Sequence, residues 1–359
     1  MNIALTILIA VLAFGFLIFI HEFGHYFFAR LFRVSIKEFS IGMGPKLVYW
    51  DSKKTGIRYG IGMFPIGGYV AMVGENDGSE DPDAADDPNA FDKKPAWQRF
   101  IITAAGAAVN ILAGFLAMIL VVSLTARIGG TTVHSFLNEE ERAEYGYTVS
   151  TEDSGLKAGD KILAVDGKRV TVIEELSYEI MRRGIEPIDV TVLRDGEKIV
   201  LRDVVFPTEE ADGEKFGAFD FRVYAVEKNV GSVLSTSFKK SVMTVRMCWE
   251  SLFDLISGRY SVKAVSGPVG VTSAIGQAAS YGFVNLLNMI VLISISLGVM
   301  NLLPIPALDG GRLITVLFEM ITKKRLPPKV EGIINGVGLI VLLLLSFIIM
   351  IKDILQLIL

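Results

Sequence analysis

The chain has 359 residues, about two domains' worth. Its charge is nearly balanced, with 35 Lys and Arg against 39 Asp and Glu, yet only 21% of residues are charged while 51% are hydrophobic. This excludes a disordered chain, a nucleic-acid binder working through basic charge and a wholly water-soluble protein. The single cysteine, Cys248, also excludes an intrachain disulfide and a thiolate zinc site.

Residues 1–30 form the first predicted element. Residues 1–20 carry no charge, and apolar residues continue past His21 and Glu22 to Ala29. A bilayer crossing takes about 20 such residues as helix. No basic residue precedes the run and no small-x-small site follows it, so it reads as a membrane helix rather than a cleaved leader. Residues 31–99 form a loop. Within 46–73, Tyr49-Trp50 and Ile57 to Met63 flank a polar turn as in a hairpin, and Gly60, Gly62, Gly67 and Gly68 keep it thin. By composition alone this is an ordinary cytosolic hairpin. Residues 75–92 read as an acidic solvated loop.

A second span is expected over 100–128. Residues 129–231 switch to short soluble strands and helices: a strand Ile162 to Val165, an Asp166-Gly167 turn, a helix Ile173 to Arg183, a strand Asp189 to Arg194 and an Asp195-Gly196 turn. Within 232–263, the helix 233–256 puts Leu234, Phe238, Val242, Val245, Trp249, Leu252 and Ile256 in one sector. Lys239, Lys240, Arg246, Glu250 and Asp254 fall opposite. This reads as an interfacial helix, and packing on the soluble segment is the alternative. The third span lies in 264–311, apolar over 284–303 after a Gly/Ser-rich lead-in. Residues 312–331 are a loop and 332–359 the fourth span. The loops 30–99 and 312–329 hold ten and five Lys/Arg, which places both in the cytosol; the segment 129–231 is then extracytoplasmic. Arg259 and Lys263, flanking the third span outside, argue mildly the other way.

His21 and His25 stand at i and i+4, so one helix face carries both imidazoles, with Glu22 beside them as a possible general base. Two histidines and a glutamate at the end of an apolar helix are costly to bury without partners, and a metal removes that cost. A tetrahedral zinc with one open position needs a third protein ligand. Cys248 and His134 belong to the outer segments, His134 as a loop residue, which leaves Asp309, after Pro304 and Pro306 break the third span. Spans one and three run in the same direction, so His21-Glu22-Phe23-Gly24-His25 and Asp309 reach the same membrane face.

With these motifs the chain resembles the site-2 protease family of intramembrane zinc metalloproteases, in its bacterial RseP/RasP-like branch. The likeness rests on HEFGH, the Gly-rich hairpin, Phe91-Asp92-Lys93-Lys94-Pro95, Ser154 to Lys168 as part of a PDZ-like domain, and Asn301 to Gly311 reading NLLPIPALDGG. It implies a polytopic α-helical membrane protein with four transmembrane helices, an inserted extracytoplasmic α+β PDZ-like domain and a re-entrant β-hairpin. It implies Zn2+ held by His21, His25 and Asp309, with Glu22 as base. It further implies that residues 60–73, including Gly67 and Gly68, present substrate as a strand, and that Asn301 contacts substrate backbone. The chain departs from the family in having one PDZ-like domain where some relatives have two, and Ala107 where relatives often have proline.

The expected activity is hydrolysis of peptide bonds in or near transmembrane segments of pre-trimmed single-span proteins, such as anti-sigma factors or signal-peptide remnants. The expected setting is the bacterial cytoplasmic membrane, with the active site near the cytosolic face. The partners are transmembrane substrates and the lipid bilayer, without nucleic acid; oligomeric state is not legible. Peptide binding and a steric role both stay open for the PDZ-like domain. The alternatives are a non-catalytic scaffold and a zinc transporter or sensor.

Overall fold

The computed structural model describes residues 2–75, 82–211, 214–258 and 265–358. Residues 76–81 of the acidic loop, and Arg259 and Lys263, lie outside the described residues. In chain order the elements are helix α1 (Ile3–Leu31), strands β1 (Ile36–Asp51) and β2 (Arg58–Met72), helix α2 (Ala96–Leu124), strand β3 (Ile128–Phe136) and helix α3 (Glu139–Glu144). Then come β4 (Lys161–Val165), β5 (Lys168–Arg169), α4 (Ile173–Arg183), β6 (Ile188–Arg194), β7 (Glu197–Val204), β8 (Thr208–Ala211), β9 (Glu214–Gly217) and β10 (Phe221–Val226). Helices α5 (Val230–Ile256), α6 (Pro268–Ser280), α7 (Phe283–Asn301), α8 (Asp309–Thr322) and α9 (Pro328–Ile358) complete the chain. The chain divides into two compact units, one of residues 1–117 with 244–359 and one of residues 118–243.

Helices α1, α2, α7 and α9 are the four that are long and apolar enough to cross a membrane among the described residues, and all but residues 118–124 of α2 belong to the first unit. They coincide with the four charge-free runs of the sequence. Close approach is possible because small residues sit at the contacts. A side chain at Gly298 on α7 would meet the Ala107 carbonyl oxygen of α2 at 2.7 Å, and one at Gly24 on α1 would meet the Ala105 carbonyl oxygen at 2.6 Å. The Gly/Ser-rich lead-in and the loop after the third span both contain helix that the sequence reading left out. Helix α6 starts with Pro268 at its first turn, and its Gly267 and Gly270 amides donate to the Asp353 carboxylate of α9, each at 2.9 Å. That cap comes from more than 80 residues away and outweighs the weak local helix propensity.

Strands β1 and β2 form more than a simple hairpin. Residues 46–51 pair with 58–62, as the polar turn at Ser52–Gly56 dictates, but residues 38–41 pair with both 58–61 and 68–71, and Ile36 pairs with Met72. The chain bends at Gly42 and Gly67, both with positive φ, and so builds a four-stranded sheet from two long strands. Residues 68–72 become its edge.

The second unit holds a six-stranded sheet in the order β10-β3-β4-β6-β7, with β5 paired to β4. Alternation aims Val190 and Val192 of β6 inward, and a register shift between Ile162 and Ala164 brings both Ile162 and Val165 of β4 to the same face, where they meet Leu176 and Ile180 of α4. Asp166-Gly167 and Asp195-Gly196 all have positive φ, the conformation that two-residue hairpin turns require. Beneath the sheet, Asp160 accepts from Arg194 Nε and Nη2, each at 2.7 Å, and from the Lys157 amide at 2.9 Å. Burial alone would raise the Asp160 carboxyl, but the Arg194 guanidinium and the amide outweigh it and hold it below its ordinary value. A depressed carboxyl stabilises the fold above its unfolded pKa, near 4, and that contribution is lost as pH falls through the native value. Asp160→Asn should therefore destabilise this unit by about 2 kcal/mol at neutral pH, and should flatten the acid limb of its stability. Hydrogen exchange of β4 and β6 amides in the full chain between pH 3 and 7 measures both, and an unchanged acid limb would refute the assignment.

Helix α5 is inside-out for a water-soluble helix. Thr236, Ser237 and Ser241 are buried, while Leu234, Phe238 and Val242 are exposed, as are Trp249 and Ile256 further on. Of the sector read from the sequence as apolar, these five residues are exposed and Val245 and Leu252 are half-buried, the pattern of a helix lying against lipid.

Candidate metal centre

Helix α1 carries His21 and His25 on one face, and their Nε2 atoms lie 3.2 Å apart. Asp309 arrives from a different part of the chain. Helix α7 ends at Asn301, the chain turns through residues 302–308 with Ala307 at positive φ, and α8 begins at Asp309. The sequence reading put Asp309 at the trailing end of the third span; it is instead the first residue of a new helix, where a carboxylate is favoured. A side chain at Gly310 would run into the Leu303 carbonyl, so only glycine allows this turn to pack.

Asp309 Oδ2 stands 3.2 Å from His21 Nε2 and 3.3 Å from His25 Nε2. The three atoms form a nearly equilateral triangle. Ligands about 2.0–2.1 Å from a tetrahedral zinc are separated by about 3.3 Å, so the triangle is the base of such a tetrahedron. The donors fit a cation in a second way. Asp309 Oδ2 is buried and accepts no hydrogen bond, and two imidazole nitrogens facing each other gain nothing unless a cation lies between them.

The far side of each imidazole is also held. His25 Nδ1 donates to the Ile102 carbonyl at 2.8 Å, which leaves Nε2 as the lone-pair atom. His21 Nδ1 lies 3.3 Å from the Asn110 side-chain amide on α2, and the Asn110 oxygen is buried and without a partner. Turning that amide over lets the oxygen accept the His21 Nδ1 proton and satisfies both groups. The Asn110 backbone carbonyl in turn accepts from Ser294 Oγ on α7 at 2.8 Å. The sequence reading gave Asn110 no role; its signal was a lone amide inside a charge-free span.

His21, Glu22, His25 and Asp309 line one cavity of about 380 Å3. Its opposite wall is the sheet edge, residues 68–72, and Glu75, Thr103 and Arg312 complete it. Glu75 and Arg312 are ion-paired there. A side chain at Gly68 would meet Glu22 Cγ at 2.8 Å, so the edge strand runs against the glutamate. Of the residues expected at the site, Gly68 lines this cavity, whereas Gly67 and Asn301 are not among its lining residues. Gly67 forms the bend before the edge strand, against Met43. His134, expected in a loop, lies in β3 with its ring edge-on to Tyr224.

Four apolar helices together with a helix-borne HExxH, an apposed aspartate and a glutamate in the same cavity define a metallopeptidase of the membrane-spanning class. The model of peptidase family M50 matches residues 9–345, and the chain belongs to that family. It is a zinc metalloprotease of the site-2 type. It is 36% identical to a Clostridium acetobutylicum protein provisionally named a zinc metalloprotease, over 97% of both chains. A similarly named Fusobacterium nucleatum protein is 35% identical over 98% of both. The regulator of sigma-W protease RasP of Bacillus subtilis is 26% identical over 97% of this chain and 98% of its own.

Proposed function

We propose that the chain is an intramembrane zinc endopeptidase in which His21, His25 and Asp309 hold the metal, Glu22 is the general base and residues 68–72 bind substrate as an added strand. The observation that carries this reading is the triangle of donors sharing one cavity with Glu22 and an open sheet edge. Zinc, when bound, supplies Lewis acidity that polarises a peptide carbonyl and lets water lose a proton near neutral pH. A Glu22 carboxylate oxygen accepts that proton and holds it for the leaving amine. A transmembrane helix hides its backbone groups in its own hydrogen bonds, so a substrate must unwind before it can be cut. The edge strand offers unpaired amides and carbonyls that replace those bonds, which orients the freed segment.

The re-entrant hairpin at residues 60–73 is part of this proposal, as are roles for Gly67 in shaping the edge and Asn301 in contacting substrate backbone. Residues 129–231 serve as a PDZ-like domain outside the cytosol, an assignment supported by the Ser154 to Lys168 motif and the Lys/Arg bias of the other loops. The substrates are single-span proteins already trimmed outside, among them anti-sigma factors and signal-peptide remnants; the likeness to a protease named as a sigma regulator supports this class. The domain boundaries follow as 1–30, 31–99, 100–128, 129–231, 232–263, 264–311, 312–331 and 332–359.

Cleavage of a model transmembrane peptide by the purified protein, with and without a chelator, tests the proposal directly. Loss of cleavage on chelation and its return with zinc are expected. Cleavage indifferent to chelator would exclude the metal mechanism. Asn110→Ala should weaken zinc by about 10–100-fold, the usual cost of removing a residue that orients a metal-binding histidine. Asn110→Asp, which keeps the accepting oxygen, should restore most of it. Equal zinc affinity in all three proteins, measured by competition with a chromophoric chelator, would remove Asn110 from the site.

A further inference from the structure

The segment 129–231 is strongly acidic, with 22 Asp and Glu against 13 Lys and Arg. Against that background one cavity of the second unit, of about 570 Å3, is lined by four cations and by no acidic residue. Lys161 comes from β4, Arg169 from β5, Lys198 from β7 and Lys239 from α5. None of these four side chains forms an ion pair among the described residues. Their neighbours are paired: Lys240 with Glu174, Arg183 with Asp166 and Glu179, and Arg194 with Asp160. Thr131 and Thr191 add hydroxyl donors to the same cavity.

We propose that this cavity binds a phosphate group. Four cations drawn from four elements line one cavity, which suits an oxyanion able to accept several hydrogen bonds at once. An acidic polypeptide taken up by strand addition would pair along one edge, β10 or β7, whereas the lining of the cavity is spread across β4, β5, β6 and β7. The surroundings favour a phosphate carried by a lipid headgroup. The unit that contains the cavity also contains residues 118–124, the end of the candidate membrane span α2. Lys228 Nζ fastens that end by donating to the carbonyls of Ser123 and Thr125. On α5, Lys239 directly follows Phe238, which is exposed together with the apolar Leu234 and Val242 four residues to either side. Apolar side chains that enter a lipid surface next to cations that meet its phosphates are the two halves of interfacial binding.

Full-length protein in a nonionic detergent, titrated with dihexanoyl phosphatidylglycerol, dihexanoyl phosphatidylcholine, glycerol phosphate and inorganic phosphate, tests this. Saturable binding of phosphatidylglycerol is expected, weakening as salt rises. Lys161→Gln/Arg169→Gln should weaken it by about tenfold or more, whereas Lys157→Gln/Lys168→Gln, at cations outside the cavity, should leave it unchanged. The altered side chains are exposed, so unfolding temperature should not move and a folding defect would be visible separately. Tighter binding of phosphatidylglycerol than of glycerol phosphate identifies the lipid as the source, and equal binding identifies free phosphate; either supports the site. The proposal is overturned if no phosphate compound saturates, if the two double variants behave alike, or if a hexa-aspartate peptide binds more tightly than every phosphate.

Discussion

Glu22→Gln is expected to reduce cleavage of a single-span reporter by roughly 10²–10⁴-fold or more, with zinc content and fold unchanged. Glutamine matches glutamate in size and keeps one side-chain oxygen, so the packing of Glu22 against the Gly68 edge strand is preserved. The amide cannot take a proton from water at neutral pH. The metal donors are untouched, because His21, His25 and Asp309 form their triangle without Glu22. The measurement is turnover in detergent or liposomes, with zinc determined on the same sample. Near-normal turnover by the zinc-loaded variant would therefore remove Glu22 as the base.

What could be read from the sequence follows from how local each signal is. The four spans were legible because the bilayer demands about 20 apolar residues in succession, a purely local requirement. The pairing of His21 with His25 was legible because helix period alone sets it. Asp309 was reachable through topology, since spans one and three must end on the same face. Nothing comparable announces that the Ile102 carbonyl and the Asn110 amide meet the two imidazoles, because those contacts depend on how α2 packs against α1. The doubled sheet of β1 and β2 was missed for a related reason. Its hairpin turn is local, but the return of residues 68–71 onto 38–41 depends on bends at Gly42 and Gly67 that composition does not order. Helix α8 was hidden by its mixed face, where Leu313 and Val316 are buried and Ile314, Leu317 and Ile321 are exposed between charged residues.

The packing of α2 on α1 makes the second large prediction, at Gly106. A methyl group there would collide with His25 Nε2 and lie 2.8 Å from both His21 Cε1 and His25 Cδ2. Both rings would have to swing away, and the triangle with Asp309 would open. Retreat of α2 from α1 meets α7, where Gly298 already packs against the Ala107 carbonyl. Overpacking of this kind costs about 1–3 kcal/mol, and here it falls on the metal-binding geometry. Gly106→Ala should accordingly weaken zinc by up to about a hundredfold and reduce turnover in proportion at limiting zinc. Gly336→Ala on α9 is the control, since a methyl group there meets open space and only adds helix propensity. Chelator competition gives the zinc affinity of each protein independently of activity, and thermal unfolding reports the fold. If Gly106→Ala holds zinc as tightly as the Gly336→Ala control, the two histidines are not confined by α2, and the ligand geometry must be set by α1 and α8 alone.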